Sequence, residues 1–244
     1  MKALIENVSL NGKKTNVVVE GNRIASVGNE KDRSGEVIDG DGFAIVPSFV
    51  NCHTHAAMSL LRGYADDFPL QEWLQKYIWP VEGKITKKDA YWGSKLACLE
   101  MIKTGTTCFA DMYFFPEETA KAVKESGIRA FLGIVFLGNE KIDAGKVKNQ
   151  IKELGGFGGL VKPMLAPHSL YTVSEENLRT VAEIAEKESL LVHFHLSETE
   201  KEVRDCVKEH GKRPVEFLQK IGFLNERVLN AHSVWLDAKE IKIL

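Results

Sequence analysis

Apolar and polar positions along this 244-residue chain change their rhythm once. Up to about residue 45 they alternate. Ala3 to Leu10 reads as a strand, and Thr15 to Glu20 and Arg23 to Val27 flank Gly21-Asn22, a hairpin turn. From Phe43 onward, short apolar runs are separated by longer stretches of helical period, the pattern of βα units around a parallel sheet. Six such runs occur: Phe43 to Asn51, Thr106 to Met112, Arg129 to Phe136, Leu160 to Ala166, Leu190 to Leu196 and Val228 to Val234. Helical candidates between them include Lys87 to Lys103, Glu117 to Glu125 and Glu175 to Lys187. Ser174 precedes the last as an N-cap, and Gly127 stands where a helix should stop. Residues 1–45 are therefore expected to be the N-terminal part of a small β domain, and residues 46–244 roughly the first six βα units of a barrel.

The barrel follows from where polar residues fall. His53 and His55 come after the first run, Asp111 ends the second, His168 follows the fourth, His195 ends the fifth and His232 lies in the sixth. A (β/α)8 barrel collects its chemistry from the C-terminal ends of many strands, whereas an open doubly wound sheet gathers it at one switch point. The predicted fold class is thus α/β, a TIM-type barrel left incomplete. Six units are two short of closure, and the stretch from Asp237 to Leu244 reads as a helix that the chain end interrupts. The expectation is an N-terminal portion of a longer protein.

Composition narrows the partners. With 32 basic against 34 acidic residues, the chain has no surplus of cations for a phosphate backbone, so nucleic acid is not the expected partner. No apolar run approaches the roughly 18 to 20 residues that span a bilayer, and Glu6 interrupts any signal-like start, so a membrane is not expected and the location read is cytoplasmic. Cys52, Cys98, Cys108 and Cys206 form no CxxC pair and read as buried apolar thiols.

His53-Thr54-His55 places two imidazoles at i and i+2, on one side of a strand end. Such a pair suits one divalent ion, yet alone it is equally a pair of packed or surface histidines. The segment Val192-His193-Phe194-His195-Leu196-Ser197-Glu198 repeats the arrangement on a distant strand. His195 is nearer the mouth, and His193 reads as packing or as support for a ligand. Glu198 follows where a proton shuttle would stand, although Glu198, Glu200 and Glu202 also suit the acidic start of a helix. Asp111 could cap a helix or orient a ligand.

An ordered set of segments now becomes specific. It comprises Pro47 to His55, Leu61-Arg62-Gly63-Tyr64-Ala65-Asp66-Asp67, Trp73-Leu74, Ile78-Trp79-Pro80-Val81-Glu82, Thr104-Gly105-Thr106-Thr107, Asp111-Met112-Tyr113, Pro167-His168-Ser169-Leu170-Tyr171, His195 to Thr199 and Ala231-His232. This set resembles the amidohydrolase superfamily over nearly the whole chain. Within it, the chain is similar to the 5′-methylthioadenosine/S-adenosylhomocysteine deaminases and the 5′-deoxyadenosine deaminases.

The resemblance implies a metal-dependent hydrolase barrel with a small β-sandwich domain at its N-terminus. It implies His53, His55 and His195 as metal ligands, with zinc the expected ion and iron the alternative. Glu198 would shuttle protons and meet the base, His232 would stand beside the attacking water, Glu82 would grip the ribose hydroxyls, and His168 would contact the purine. The implied reaction replaces the 6-amino group of an adenosine-type nucleoside by oxygen and releases ammonia. A small-molecule nucleoside is then the partner, and a homo-oligomer is compatible with it. Lys162 lies at the start of its strand, away from the mouth, which favours one metal over two. The family's fourth ligand is an aspartate on an eighth strand that this sequence lacks, so an inactive fragment is one alternative. Another amidohydrolase, acting on guanine, a pterin or a triazine, is a second. Members that accept S-adenosylhomocysteine can carry an arginine where this chain has Ile134, with Lys146 as a replacement cation, so a zwitterionic 5′ tail is less expected than a small apolar one.

Overall fold

The computed structural model describes residues 2–244, in two compact units, Met1–Ser48 and Phe49–Leu244. In the first unit, β1 (Lys2–Leu10), β2 (Lys13–Glu20), β3 (Arg23–Gly28) and β4 (Glu36–Asp39) form one sheet in the order β3-β2-β1-β4. The β2–β3 turn falls at Gly21-Asn22, where Gly21 takes a φ of +63°, open at little cost only to glycine. The short strand β4, parallel to β1, was not legible because it is exposed on every residue and so carries no alternation.

The run Phe43 to Asn51 is not one strand. Ala44 bridges to Ser9 and the Ile45 amide donates to the Ser9 carbonyl at 2.9 Å, so its first part joins the small sheet. Pro47, which has no N–H for a ladder, interrupts the run, and β5 begins afresh at Phe49 and ends at Thr54.

The second unit holds β5, β6 (Thr106–Asp111), β7 (Arg129–Phe136), β8 (Val161–Pro167), β9 (Val192–Leu196) and β10 (Val228–His232), all parallel, in the order β10-β9-β8-β7-β6-β5. Each strand lies beside its predecessor and the order never reverses, as in a barrel and unlike a doubly wound sheet. The helical elements are α1 (Leu70–Glu72), α2 (Trp79–Glu82), α3 (Lys87–Lys103), α4 (Pro116–Ser126), α5 (Ala144–Gly155), α6 (Glu175–Glu188), α7 (Glu200–His210), α8 (Pro214–Lys220) and α9 (Glu240–Ile243). Local signals set their ends: Ser174 accepts from the Asn177 amide to start α6, and Gly127 takes φ +74° to stop α4.

Outward-facing strand residues meet these helices in one core. Phe109, Leu132, Leu165 and Phe194 are fully buried, and Phe194 packs on Phe223 at 5.0 Å between ring centroids. Each such side chain contributes about 1.5–3 kcal/mol through burial. The sheet also curls strongly. Strands lie about 4.8 Å apart, so a flat sheet would hold β5 and β9 about 19 Å apart, yet the His53 and His193 rings touch at 2.8 Å.

Two details differ from expectation. Cys98 and Cys206 are buried, but Cys108 is only partly so and Cys52 on β5 is exposed; all four thiols are free. Between α1 and α2 lies a π-helical turn, Trp73–Ile78. Pro80 cannot donate to the carbonyl four residues back and crowds it, and the helix widens ahead of it: the Trp79 amide reaches Leu74. No helix among the described residues is long and apolar enough to cross a membrane.

Candidate functional site

Parallel strands of one curl present their C-terminal ends to a common mouth, and the histidines at those ends converge there. The His53 ring centroid lies 4.9 Å from those of His55, His193 and His195 and 5.0 Å from that of His232. One ligand nitrogen each from His53, His195 and His232 lies within 4.8 Å of the others. His55 enters the same group through Nε2, 3.3 Å from Nε2 of His195.

The backbone decides how two of these rings face. His55 Nδ1 donates to the Met112 carbonyl at 2.6 Å, and His195 Nδ1 donates to the His168 carbonyl at 2.7 Å. Each ring spends its proton on a carbonyl, so both Nε2 atoms face each other as bare lone pairs. Two such acceptors at 3.3 Å repel unless a cation sits against them, and that donor set fits a divalent ion bound by neutral imidazoles. Burial reinforces neutrality. It lowers the pKa of His53 to about 3 and those of His168 and His193 to about 4, and neighbouring imidazoles push the same way. His195 is lowered as well, by burial first and His168 next.

His232 stands apart within the group. Its Nε2 lies 3.6 Å from Oε1 of Glu198, so it faces a carboxylate. The two residues meet because the turns after β9 and β10 are stitched together. Ser197 (φ +48°), His232 (φ +66°) and Ser233 (φ +53°) adopt left-handed backbone that non-glycine residues rarely take. The Ser233 amide donates to Leu196, and those of Val234 and Trp235 donate to Ser197. Burial raises the Glu198 carboxyl above the usual glutamate range, partly offset by His55.

Glu202, expected only as a helix acid, completes that turn. Its carboxylate is 4% exposed and accepts from the amides of Ser197 (2.8 Å) and Glu198 (2.9 Å). The signal was present as Thr199-x-x-Glu202, a capping-box spacing. The Thr199 hydroxyl caps α7 by accepting from the Glu202 amide, and the Glu202 carboxylate also reaches the turn that carries Glu198.

Asp111 does not enter the histidine group. Its Oδ1 accepts from the Thr54 hydroxyl (2.8 Å) and the Ala56 amide (2.6 Å), bracketing His55 from both sides. Its carboxyl is fully enclosed, and burial raises its pKa against those two donors. Lys162 lies exposed near the start of β8 with its Nζ over the Phe131 ring.

A cavity of about 970 Å³ opens over the histidines, and His53, His55, His168, His195, His232, Glu198 and Glu82 all line it. Its remaining wall is largely apolar, with Trp73, Trp79, Phe114 and Leu137 among the contributors. Glu82 reaches it from the end of α2, opposite Tyr113. Burial raises the Glu82 carboxyl, and the facing Tyr113 hydroxyl opposes that rise. His168 is oriented by hydroxyls: its Nδ1 lies 3.0 Å from Ser169 Oγ and 2.9 Å from Thr172 Oγ1, leaving Nε2 for the cavity. Thr172 was not singled out in the sequence, since one hydroxyl in a loop carries no pattern, and Tyr113 entered only within the segment Asp111-Met112-Tyr113 and without a role. Ile134 is buried in the core, Lys146 lies exposed on α5, and no lysine or arginine is among the residues lining the cavity.

Comparison with known proteins gives a consistent result. The amidohydrolase family profile matches residues 44–244. A 5-methylthioadenosine/S-adenosylhomocysteine deaminase of Archaeoglobus fulgidus is 50% identical over 232 residues, covering 94% of this chain and 55% of that protein. A 5′-deoxyadenosine deaminase of Methanoregula boonei is 47% identical over 237 residues, covering 91% of this chain and 52% of that protein. Among solved structures, an adenosine deaminase from Xanthomonas campestris with bound zinc superposes with a TM-score of 0.89 at 32% identity, over 99% of this chain and 60% of that one. The chain spans about half the length of the curated relatives it matches.

Proposed function

This chain belongs to the amidohydrolase family, and from that premise we propose that it serves a metal-dependent deaminase of adenosine-type nucleosides. The observation that carries the reading is the pair of bare Nε2 atoms of His55 and His195, 3.3 Å apart, with Glu198 and Glu82 on the walls of the same cavity. His53, His55 and His195 would hold one divalent ion, with zinc the expected one. His232 is left out of the ligand set because its Nε2 is turned to Glu198. A divalent ion in such a site lowers the pKa of water from 15.7 to about 7, which makes a nucleophile available at neutral pH.

The chain's own groups then divide the remaining work. Glu198, with its carboxyl raised by burial, holds a proton to higher pH than a free glutamate and delivers it to N1 of the purine. His232, 3.6 Å from that carboxyl, steadies the oxygen that attacks C6. His168 presents Nε2 to the ring, and Glu82 accepts from the ribose hydroxyls. The apolar wall takes the 5′ substituent. Because no lysine or arginine lines the cavity among the described residues, a methylthio or methyl group at C5′ suits it better than the charged tail of S-adenosylhomocysteine.

The test is ammonia release, with the adenine-to-hypoxanthine change in ultraviolet absorbance, from the zinc-loaded protein given 5′-methylthioadenosine, 5′-deoxyadenosine and S-adenosylhomocysteine. The first two are expected to turn over with kcat/KM at least about 10-fold above the third, the cost of an unpaired charge being 1.4 kcal/mol or more. Glu82→Ala is expected to lower kcat/KM for all nucleosides by about 10- to 100-fold, the loss of hydrogen bonds to a charged acceptor. Guanine turned over at the expense of nucleosides, with Glu82→Ala silent, would replace this reading by a nucleobase aminohydrolase.

A further inference from the structure

The ring of His53 is oriented differently from those of His55 and His195. The latter two give their Nδ1 protons to main-chain carbonyls of Met112 and His168, which no side-chain substitution removes. His53 Nδ1 instead lies 2.8 Å from Nε2 of a side chain, His193, with the two rings nearly perpendicular at 83°. His193 is 0% exposed and sits two residues before His195 on β9. The contact therefore ties the first strand of the curl to the fifth.

We propose that His193 is a positioning residue for His53: its Nε2 accepts the Nδ1–H of His53 and so leaves the His53 Nε2 lone pair for a divalent cation. The opposite tautomer, with His193 Nε2–H donating to His53 Nδ1, leaves a proton on His53 Nε2 and removes that ring from the ligand set. Accepting from His53 places the single ring proton of His193 on Nδ1, a buried atom with no hydrogen-bond partner among the described residues. His193 thus bears the cost of an unmet donor so that His53 can act as a ligand, and the outer partner of a ligating imidazole is commonly worth 10- to 100-fold in metal affinity.

This inference rests on the metal-site part of the proposed function, not on its substrate. It is tested by zinc affinity, measured by competition with a chromophoric chelator on the unmodified chain, His193→Gln and His193→Phe. Glutamine keeps an acceptor oxygen near the position of Nε2; phenylalanine fills the space without one. The phenylalanine variant is expected to bind zinc about 10- to 100-fold more weakly at an unchanged metal-free melting temperature, with glutamine restoring most of the loss. Should the phenylalanine variant not fold, His193→Met takes its place. Equal affinity of all forms, or equal losses in the glutamine and phenylalanine variants, overturns the proposal and reduces His193 to packing. An unmodified chain that binds zinc but releases no ammonia removes the deaminase reading and leaves His193 in place. A chain that binds no zinc removes both.

Discussion

Glu198→Gln is expected to lower turnover at least about 100-fold while leaving bound metal unchanged, because a general acid contributes typically 10²- to 10⁴-fold. The geometry makes the substitution informative. Glutamine has the shape of glutamate, so the 3.6 Å approach to His232 and the cavity wall survive, and the turn itself is held by Glu202 through main-chain amides that the change does not touch. Only the transferable proton is lost. Steady-state kcat with a 5′-deoxynucleoside, alongside elemental analysis of the purified variant, measures both quantities. Near-normal turnover would move the proton-transfer role elsewhere, whereas a parallel loss of metal would make Glu198 a ligand.

The second large effect is on stability. In the metal-free chain, acid should unfold the protein through its histidines. His53 (about 3), His168 (about 4) and His193 (about 4) stay neutral when folded to well below their ordinary value of 6.5, because burial disfavours the imidazolium. The unfolded chain binds those protons near pH 6.5. The stabilisation is therefore intact above about pH 6.5 and is lost as the pH falls from there toward 4. Three such groups amount to about 4 kcal/mol lost between pH 7 and pH 5.5, a large part of the 5–15 kcal/mol of an ordinary domain. Urea unfolding at the two values, followed by tryptophan fluorescence, measures it. Equal stability at both would mean that the imidazoles are solvated and can charge in place, which would contradict the enclosed site.

Much of this was legible beforehand. β7 spans Arg129–Phe136 and α3 spans Lys87–Lys103, as the run lengths require, because local periodicity and capping decide those elements. The candidate residues His53, His55, His168, His195, Glu198, His232 and Glu82 do face one cavity. For the histidines and Glu198 this was foreseeable because ends of parallel strands in a singly wound order must share a mouth; Glu82, on α2, was named only through the family resemblance. Three things escaped the pattern. Pro47 splits one apolar run between two units. Glu202 extends its capping-box spacing to the turn that carries Glu198. Thr172 orients His168 from a loop that has no period at all.

Chain order and strand ends settled which side chains could meet: the βα rhythm places His53, His55, His168, His195 and His232 at or just after the C-terminal ends of their strands, and that is a property of local sequence alone. Which nitrogen each histidine offers was decided only in three dimensions. It depends on the carbonyls of Met112 and His168 and on the ring of His193, partners that the curl of the sheet brings in from distant strands. A hydrogen bond's direction is set by both its partners, and no reading of one strand contains the other.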